Sequence, residues 1–119
     1  MTFTFYQYPR CSTCVKARKW LEAHHIDFEA IDLTVNTPNV QTLRSLHIRS
    51  DKPAKAFFNT SGQSYRGGDF KSKLPAMSDE DKYAALAADG MLIKRPILVA
   101  GDHVLVGFKE IEWSKTCLP

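Results

Sequence analysis

The sequence lacks the features that mark membrane, fibrous and disulfide-stabilised proteins. Its 119 residues include only 6 Gly, 6 Pro and 3 Cys, which excludes collagen-like, low-complexity and disulfide-dense chains. No apolar run approaches the roughly 18 residues that a membrane-spanning helix needs. The first residues show neither the basic leader nor the apolar stretch of a secretory signal. We therefore expect a cytoplasmic protein with no membrane association.

An excess of charge of one sign is also missing. The 16 Lys and Arg residues and the 13 Asp and Glu residues give a net charge of +3. The basic clusters at 16–19 and 94–95 are too short to form a nucleic-acid-binding stripe by themselves. The sequence therefore predicts no direct contact with nucleic acid.

The patterning of apolar residues predicts one α/β domain. A strand from Thr2 to Tyr8, a helix from Ser12 to about His25 and a strand from Ile26 to Leu33 form a β-α-β unit. The chain ends in two strands joined by Gly101-Asp102, at the spacing of a β-hairpin, and in a closing helix at 108–113.

The middle of the chain predicts helices only. Thr37-Pro38 has the pattern of an N-cap followed by a first-turn proline. A short helix is predicted from Asp51 to Asn59. A further helix is predicted to begin at Ser78 and to end at Asp89-Gly90, with glycine just beyond the last turn.

Two cysteines mark the junction between the first strand and the first helix. Cys11 lies where unpaired backbone N–H groups and the positive end of the helix dipole favour a thiolate, and Arg10 adds positive charge. Cys14 follows one turn later, and helical residues at that spacing have Cα atoms roughly 5 Å apart, within the range of a disulfide. The pair therefore predicts a nucleophilic thiol and a second thiol able to attack its adduct.

Two other roles for the cysteine pair are less well supported. A structural zinc site needs four ligands, and no second pair at metal-finger spacing accompanies Cys11 and Cys14. We therefore predict no metal site. An inert, buried pair does not explain two thiols that straddle a strand-to-helix turn. The redox interpretation is the one that the sequence favours.

A second informative segment is Lys94-Arg95-Pro96, directly before the third strand. Proline cannot donate to a strand ladder, so it belongs at a strand's first residue, and the bond before it is a candidate for the cis form. Arg95 either holds an anion beside Cys11 or is simply solvated, and the sequence leaves both alternatives open.

Several segments, taken in chain order, together resemble the ArsC/Spx family of arsenate reductase-related proteins. They are Tyr8-Pro9-Arg10-Cys11-Ser12-Thr13-Cys14, Trp20-Leu21-Glu22, Phe58-Asn59-Thr60-Ser61-Gly62, Asp89-Gly90-Met91-Leu92-Ile93-Lys94-Arg95-Pro96 and Val106-Gly107-Phe108-Lys109. The resemblance implies a thioredoxin-like (glutaredoxin-like) α/β fold with a mixed sheet in the order β-α-β and then β-β-α. One domain over 1–119 is expected, with its core at about 1–34 and 91–119 and a helical insertion at about 37–90.

The resemblance also implies roles for particular residues. Cys11 corresponds to the nucleophile and Arg95 to an anion-binding arginine beside it, and the Arg95–Pro96 bond corresponds to the cis peptide of thioredoxin-like folds. Together with Cys14 as the resolving thiol, these form the predicted catalytic set. Further anion- or substrate-binding residues are expected at Ser12, Thr13, Asn59 and Pro96.

The sequence departs from both branches of that family. Glutathione-dependent arsenate reductases carry two more active-site arginines, where this chain has Ala56-Phe57-Phe58-Asn59-Thr60 and Val106-Gly107-Phe108-Lys109. Losing two guanidinium groups removes most of the bidentate recognition that a compact oxyanion needs. Spx proteins carry a glycine before the middle helix that contacts RNA polymerase, where this chain has Asp51-Lys52-Pro53.

We therefore predict a cytosolic, arsenate reductase-like thiol–disulfide oxidoreductase with no bound cofactor. Glutathione, thioredoxin or glutaredoxin is expected to be the external reductant and partner. The first alternative is an Spx-type redox-sensing regulator that binds the RNA polymerase α subunit. The second alternative is a genuine arsenate reductase.

Overall fold

A four-stranded mixed sheet lies between two layers of helices. The computed structural model of the protein describes residues 2–119, so Met1 lies outside the described part of the predicted core. The strands are β1 (Phe3–Gln7), β2 (Phe28–Asp32), β3 (Ile97–Ala100) and β4 (His103–Val106), and the helices are α1 (Ser12–Ala23), α2 (Val40–Ser50), α3 (Gln63–Gly67), α4 (Phe70–Lys73), α5 (Asp79–Ala88) and α6 (Glu110–Cys117). Short 3-10 helices occupy Ala54–Phe57, Leu74–Ala76 and Gly90–Leu92.

The sheet has the strand order β2-β1-β3-β4. β1 and β2 are parallel, with Phe3 opposite Phe28, whereas β3 is antiparallel to both of its neighbours, with Leu98 opposite Phe5 and Leu105. The α1 crossover joins the parallel pair, and β3, β4 and α6 complete the second half. This arrangement confirms the predicted thioredoxin-like α/β fold with helices inserted between its halves.

The two faces of the sheet bury different side chains because successive residues of a strand point to opposite sides. One face packs against α1 and α6, and its buried members are Phe5, Ala17, Trp20, Leu21, Leu98 and Trp113. The other face packs against the helical insertion, and its buried members include Leu33, Leu43, Leu46, Phe57, Phe58, Tyr83, Leu86, Leu92, Ile93 and Ile97. We call these the α1/α6 layer and the insertion layer.

The predicted bounds of the second strand and of the last helix are wrong. The second strand begins at Phe28 rather than Ile26, because the Ile26 amide donates to Leu21 O (3.0 Å) and closes the end of α1. The last helix covers Glu110–Cys117 rather than 108–113, since its first hydrogen bond runs from Trp113 N to Lys109 O.

The predicted helix from Asp51 to Asn59 is also wrong in its extent. Only a 3-10 turn forms at Ala54–Phe57, and Phe58 leaves it in an extended conformation to make a β-bridge with Ile93.

The helix-end predictions hold only in part. Ser78 caps α5 as predicted, and a capping box with Asp81 completes that cap. For α2 the cap is Asn39, whose side chain accepts from the Thr42 amide, whereas Thr37 donates its hydroxyl to Leu33 O (2.6 Å). α5 ends at Ala88 with Asp89 as its C-cap, so Gly90 lies just beyond the helix as predicted, and there it begins a 3-10 helix without a positive φ.

None of the helices in the described part of the chain combines the length and the apolar character needed to cross a bilayer.

Candidate active site

Cys11 occupies the N-cap of α1, immediately after the turn that ends β1. Its amide donates to Tyr8 O (3.0 Å), which closes the turn, and its carbonyl accepts from Val15 N (3.0 Å), the first bond of the helix. Cys11 itself is extended, with φ −81° and ψ 122°. The helix therefore starts directly at the thiol, as predicted.

The two thiols differ in their access to solvent. The Cys11 side chain is partly exposed, whereas Cys14 is 0% exposed and packed inside the molecule. Both are free thiols in this structure. An external reagent therefore meets Cys11 first.

The surroundings of Cys11 favour its thiolate. Partial burial raises the pKa of Cys11, but donors outweigh it: the N–H and S–H of Cys14, the N–H of Thr13 and the positive charge of Arg95 together hold the pKa below its ordinary value. The sulfur makes no standard capping hydrogen bond, so the backbone acts through weaker polar contacts and the helix dipole.

Cys14 shows the opposite shift. Burial is the main cause, and the hydrogen bond to Cys11 and the nearby Cys11 charge add to it, which raises the pKa of Cys14 to about 12. The Cys14 thiol is therefore protonated, and it donates to the Cys11 sulfur.

Cys11 opens into a cavity of about 540 Å³. Five of the seven predicted site residues line it: Cys11, Ser12, Thr13, Asn59 and Arg95. The other two, Cys14 and Pro96, are buried behind the wall. The Arg95–Pro96 bond is cis, which confirms that prediction.

Arg95 is held in place by backbone carbonyls. Its Nη1 donates to Met91 O (2.9 Å) and Ile93 O (3.2 Å), and its Cζ lies 5.3 Å from the centre of the Tyr8 ring. A guanidinium restrained in this way keeps its remaining donors available to an anion in the cavity. The solvated alternative for Arg95 is therefore disfavoured.

Asn59, another residue that lines the cavity, is fixed by its backbone and by a glycine. Its amide donates to Leu92 O (2.8 Å), and a Cβ on Gly62 would lie 2.7 Å from its Nδ2. The side chain thus lies directly against Gly62. A neutral amide occupies the place where the family resemblance leads one to expect an arginine.

Lys94 and Gly107 are lining residues that the sequence analysis did not assign to the site. Gly107 has φ +77°, and its amide donates to Pro96 O (2.8 Å). Both residues can be located only from the order and direction of the strands. The carboxyl ends of β1 and β4 meet the amino end of antiparallel β3 at one edge of the sheet, so the residues flanking those strand ends converge on Cys11.

None of the residues that line this cavity is acidic, and Arg10, Lys94, Arg95 and Lys109 supply four positive charges. Among residues 2–119 no group of three or more His, Cys, Asp or Glu side chains could hold a metal ion. The site therefore offers a partly exposed thiol with a lowered pKa, fixed donors and positive charge to an anionic or sulfur-containing substrate.

Comparison with known proteins supplies the family. A model of the ArsC family matches residues 6–116. The chain belongs to the ArsC family. Among curated relatives, the uncharacterized protein YusI of Bacillus subtilis is 45% identical, and the match covers 97% of this chain and 98% of YusI. The resemblance seen in the sequence is confirmed.

Other relatives and solved structures span regulators and reductase-like proteins. The regulatory protein MgsR of Bacillus subtilis is 28% identical, covering 94% of this chain and 87% of MgsR. The global transcriptional regulator Spx of Enterococcus faecalis is 26% identical, covering 92% and 81%. An ArsC-family-related protein of Bacteroides fragilis superposes with a TM-score of 0.94 at 45% identity, covering 98% of each chain. A possible arsenate reductase of Streptococcus mutans does so with 0.84 at 44% identity, covering 90% and 91%.

Proposed function

We propose that this protein is a thiol–disulfide oxidoreductase in which Cys11 is the nucleophile and Cys14 the resolving thiol. The observation that carries the proposal is the contrast within the pair: a partly exposed sulfur at a helix N-terminus, whose pKa is lowered, and a buried sulfur hydrogen-bonded to it, whose pKa is raised. Thiolates, not thiols, attack disulfides, so Cys11 is the first of the two to react.

The reaction proceeds in two exchanges. The Cys11 thiolate attacks one sulfur of a disulfide substrate, forms a mixed disulfide and releases the other sulfur, which takes up a proton. Cys14 then loses its proton to solvent, attacks the Cys11 sulfur and releases the captured group as a second thiolate. The substrate gains two electrons from the two protein thiols. A thioredoxin- or glutaredoxin-type dithiol, or two molecules of glutathione, restores them, and no bound cofactor is needed.

The order of the two exchanges follows from the contact between the sulfurs. While Cys11 is a thiolate, its charge and its hydrogen bond help to keep the pKa of Cys14 high. Once the Cys11 sulfur is part of a mixed disulfide, that charge is gone and this part of the effect ends. Cys14 therefore becomes easier to ionise only after the substrate has been captured.

The supporting residues surround the point of attack. Arg95 stabilises the Cys11 thiolate, and Ser12, Thr13 and Asn59 offer polar groups to the substrate across the cavity. Pro96 is buried behind Arg95 and contributes to the shape of the wall.

Turnover of a small neutral disulfide with glutathione or thioredoxin as reductant tests this function. Cys11→Ser should abolish turnover, whereas Cys14→Ser should complete the first exchange and accumulate a mixed disulfide that mass spectrometry detects. Cys117→Ser, which removes the third cysteine far along the chain in α6, is the control and should match the unchanged protein. A mixed disulfide on Cys117 instead of Cys11 would contradict the assignment.

A second candidate is a redox-sensing regulator that binds the RNA polymerase α subunit. It is favoured by relatives named as regulators that match over more than four fifths of their own length. Capture of the α subunit by the oxidised but not the reduced protein, lost in Cys14→Ser, would replace the enzymatic function with this one.

Arsenate reduction is the third candidate, favoured by the likeness to the Streptococcus mutans structure. Asn59 and Lys109 line the cavity where that activity calls for arginines, so we expect poor arsenate turnover. Turnover that is abolished by both Cys11→Ser and Arg95→Ala would establish it.

A further inference from the structure

Basic side chains continue beyond the Cys11 cavity into two further cavities on the helical insertion. The first of these, about 380 Å³, is lined by Tyr65, Arg66, Asp69 and Lys71 together with Thr60. The second, about 360 Å³, is lined by Lys55, Lys71, Leu74, Pro75 and Lys82. We call the surface formed by Arg66, Lys71, Lys55 and Lys82 the basic track.

The middle cavity adjoins each of the other two. Thr60 of the middle cavity lies between Asn59 and Ser61, both of which line the Cys11 cavity. Arg66 strengthens this junction because its Nη1 donates to Ser61 O (3.1 Å). Lys71 lines both the middle and the far cavity. The basic track therefore runs from the opening of the Cys11 cavity across the insertion.

Charge is strongly segregated onto these surfaces. Together they hold eight of the 16 Lys and Arg residues but only one of the 13 Asp and Glu residues, Asp69. Lys82 has a carboxylate neighbour in Asp79, at 3.7 Å, whereas in the described part of the chain Lys55, Lys71 and Arg66 have none within 4 Å. A net charge of only +3 thus conceals a predominantly positive surface, and such a surface attracts polyanions and accelerates their association.

We propose, resting on the thiol–disulfide exchange described above, that the substrate of Cys11 is an acidic polypeptide whose carboxylates lie along the basic track while its disulfide enters the Cys11 cavity. The basic track begins beside the Cys11 cavity. Polypeptides with oxidised cysteines carry the disulfide sulfur with which the Cys11 thiolate exchanges. Between the cations the surface is formed by Tyr65, Leu74 and Pro75, which suit peptide side chains. An extended segment of ten residues spans about 33 Å, comparable with the 41 Å longest dimension of the fold.

The test compares two peptides of equal length. Each carries one cysteine as a mixed disulfide with neutral 2-thiopyridine, followed by four Glu residues in one peptide and four Gln residues in the other. The Cys11 thiolate attacks the peptide sulfur, forms the Cys11–peptide disulfide and expels 2-thiopyridone, whose absorbance gives the rate. We expect the Glu peptide to react about tenfold faster at low salt. The advantage should vanish near 1 M NaCl, where the Debye length is about 3 Å.

Matched variants separate the track from the total charge. The triple variant Lys55→Gln, Lys71→Gln, Lys82→Gln should reduce the ratio of the two rates to about one. The control Lys16→Gln, Lys19→Gln, Lys115→Gln loses the same charge outside all three cavities and should keep the tenfold ratio. An equal loss of the rate ratio in both triple variants would overturn the proposal, because the preference for the Glu peptide would then depend only on net charge.

Two further outcomes would also overturn the proposal. Equal rates for both peptides in the unchanged protein would remove the acidic preference and leave Cys11 exchange intact. A single-stranded oligonucleotide that competes more than tenfold better than a polyglutamate peptide of equal charge would make the track a nucleic-acid surface. Absence of any reaction at Cys11 with either peptide is the distinct result that defeats the proposed function itself.

Discussion

At the scale of single residues, the pKa values of two cysteines three positions apart are shifted in opposite directions because their environments differ. Cys11 caps a helix at the edge of a basic cavity, and Cys14 faces the apolar interior one turn later. Each sulfur changes the other: the Cys14 thiol donates to Cys11 and lowers its pKa, and the Cys11 charge raises the pKa of Cys14. Neither shift can be assigned to one residue alone.

The lowered pKa of Cys11 predicts the pH dependence of its alkylation. Only the thiolate reacts, so the rate rises with pH and levels off above the pKa. We expect the inflection below the ~8.5 of an ordinary thiol. Arg95→Ala removes a positive charge that favours the thiolate and should move the inflection upward, whereas Arg18→Ala on α1 should leave it in place. An inflection at or above the ordinary value would contradict an activated Cys11.

At the scale of elements, the 3-10 helix at Gly90–Leu92 meets the loop after β2 at very short range. A Cβ on Gly90 would lie 2.0 Å from Leu33 O, which is backbone and cannot move aside cheaply. This contact brings the segment that holds Met91 O and Ile93 O, the two acceptors of Arg95, against the end of β2. Glycine is thus required at this position for space and not for a positive φ.

Two glycine substitutions test that contact. Gly90→Ala should cost about 1–3 kcal/mol or more in free energy of unfolding, the range for a side chain forced into a packed site. Gly67→Ala, in α3, meets nothing within 4 Å and should be neutral or slightly stabilising, because alanine restricts the unfolded chain. Urea denaturation measures both, and equal effects would show that the Leu33 contact is relieved by a backbone shift.

Local sequence patterns predict some helix ends and turns correctly and miss others. Ser78 is recognisable because an N-cap is a local pattern, and it caps α5 as predicted. The turn at Ala54–Phe57 is not recognisable, since Phe58 is drawn out of helical geometry by its bridge to Ile93, far along the chain. Cys11 could be found from its local context, but the other walls of its cavity come from strand ends that only the sheet order brings together.

At the scale of the whole molecule, the sheet is shared by two separate core layers. Both tryptophans of the chain, Trp20 and Trp113, lie in the α1/α6 layer. The insertion layer contains none, so indole fluorescence reports on one side of the sheet alone. If the protein unfolds as one unit, a cavity made by mutation in the insertion layer must also shift the unfolding transition that tryptophan fluorescence reports.

Leu86→Ala tests this coupling. Leu86 is buried in the insertion layer, and its truncation should cost about 2–5 kcal/mol. We expect the urea transitions followed by tryptophan fluorescence and by far-ultraviolet circular dichroism to move together. Ile48→Ala, at a side chain 69% exposed on α2, should change stability by less than about 0.5 kcal/mol. A fluorescence transition that stays in place while the dichroism moves would show independent layers.

The distribution of charge also belongs to the whole molecule. The sequence has short basic clusters and a small net charge, which indicate no polyanion-binding surface. The basic track draws Lys55, Arg66, Lys71 and Lys82 from separate elements. Its existence depends on how α3, α4 and α5 pack, and no linear pattern encodes that packing.

The burial of Cys14 has a consequence for how the cysteine pair responds to oxidants. We expect peroxide to reach the partly exposed Cys11 sulfur and to convert it to a sulfenic acid, the one reversible stage of direct oxygen addition. The adjoining Cys14 thiol can condense with that sulfenic acid, expelling water and closing a disulfide before a second oxygen adds. We therefore expect the buried Cys14 to protect Cys11, so that oxidant stress should leave the pair recoverable where a solitary cysteine would be lost as sulfinate.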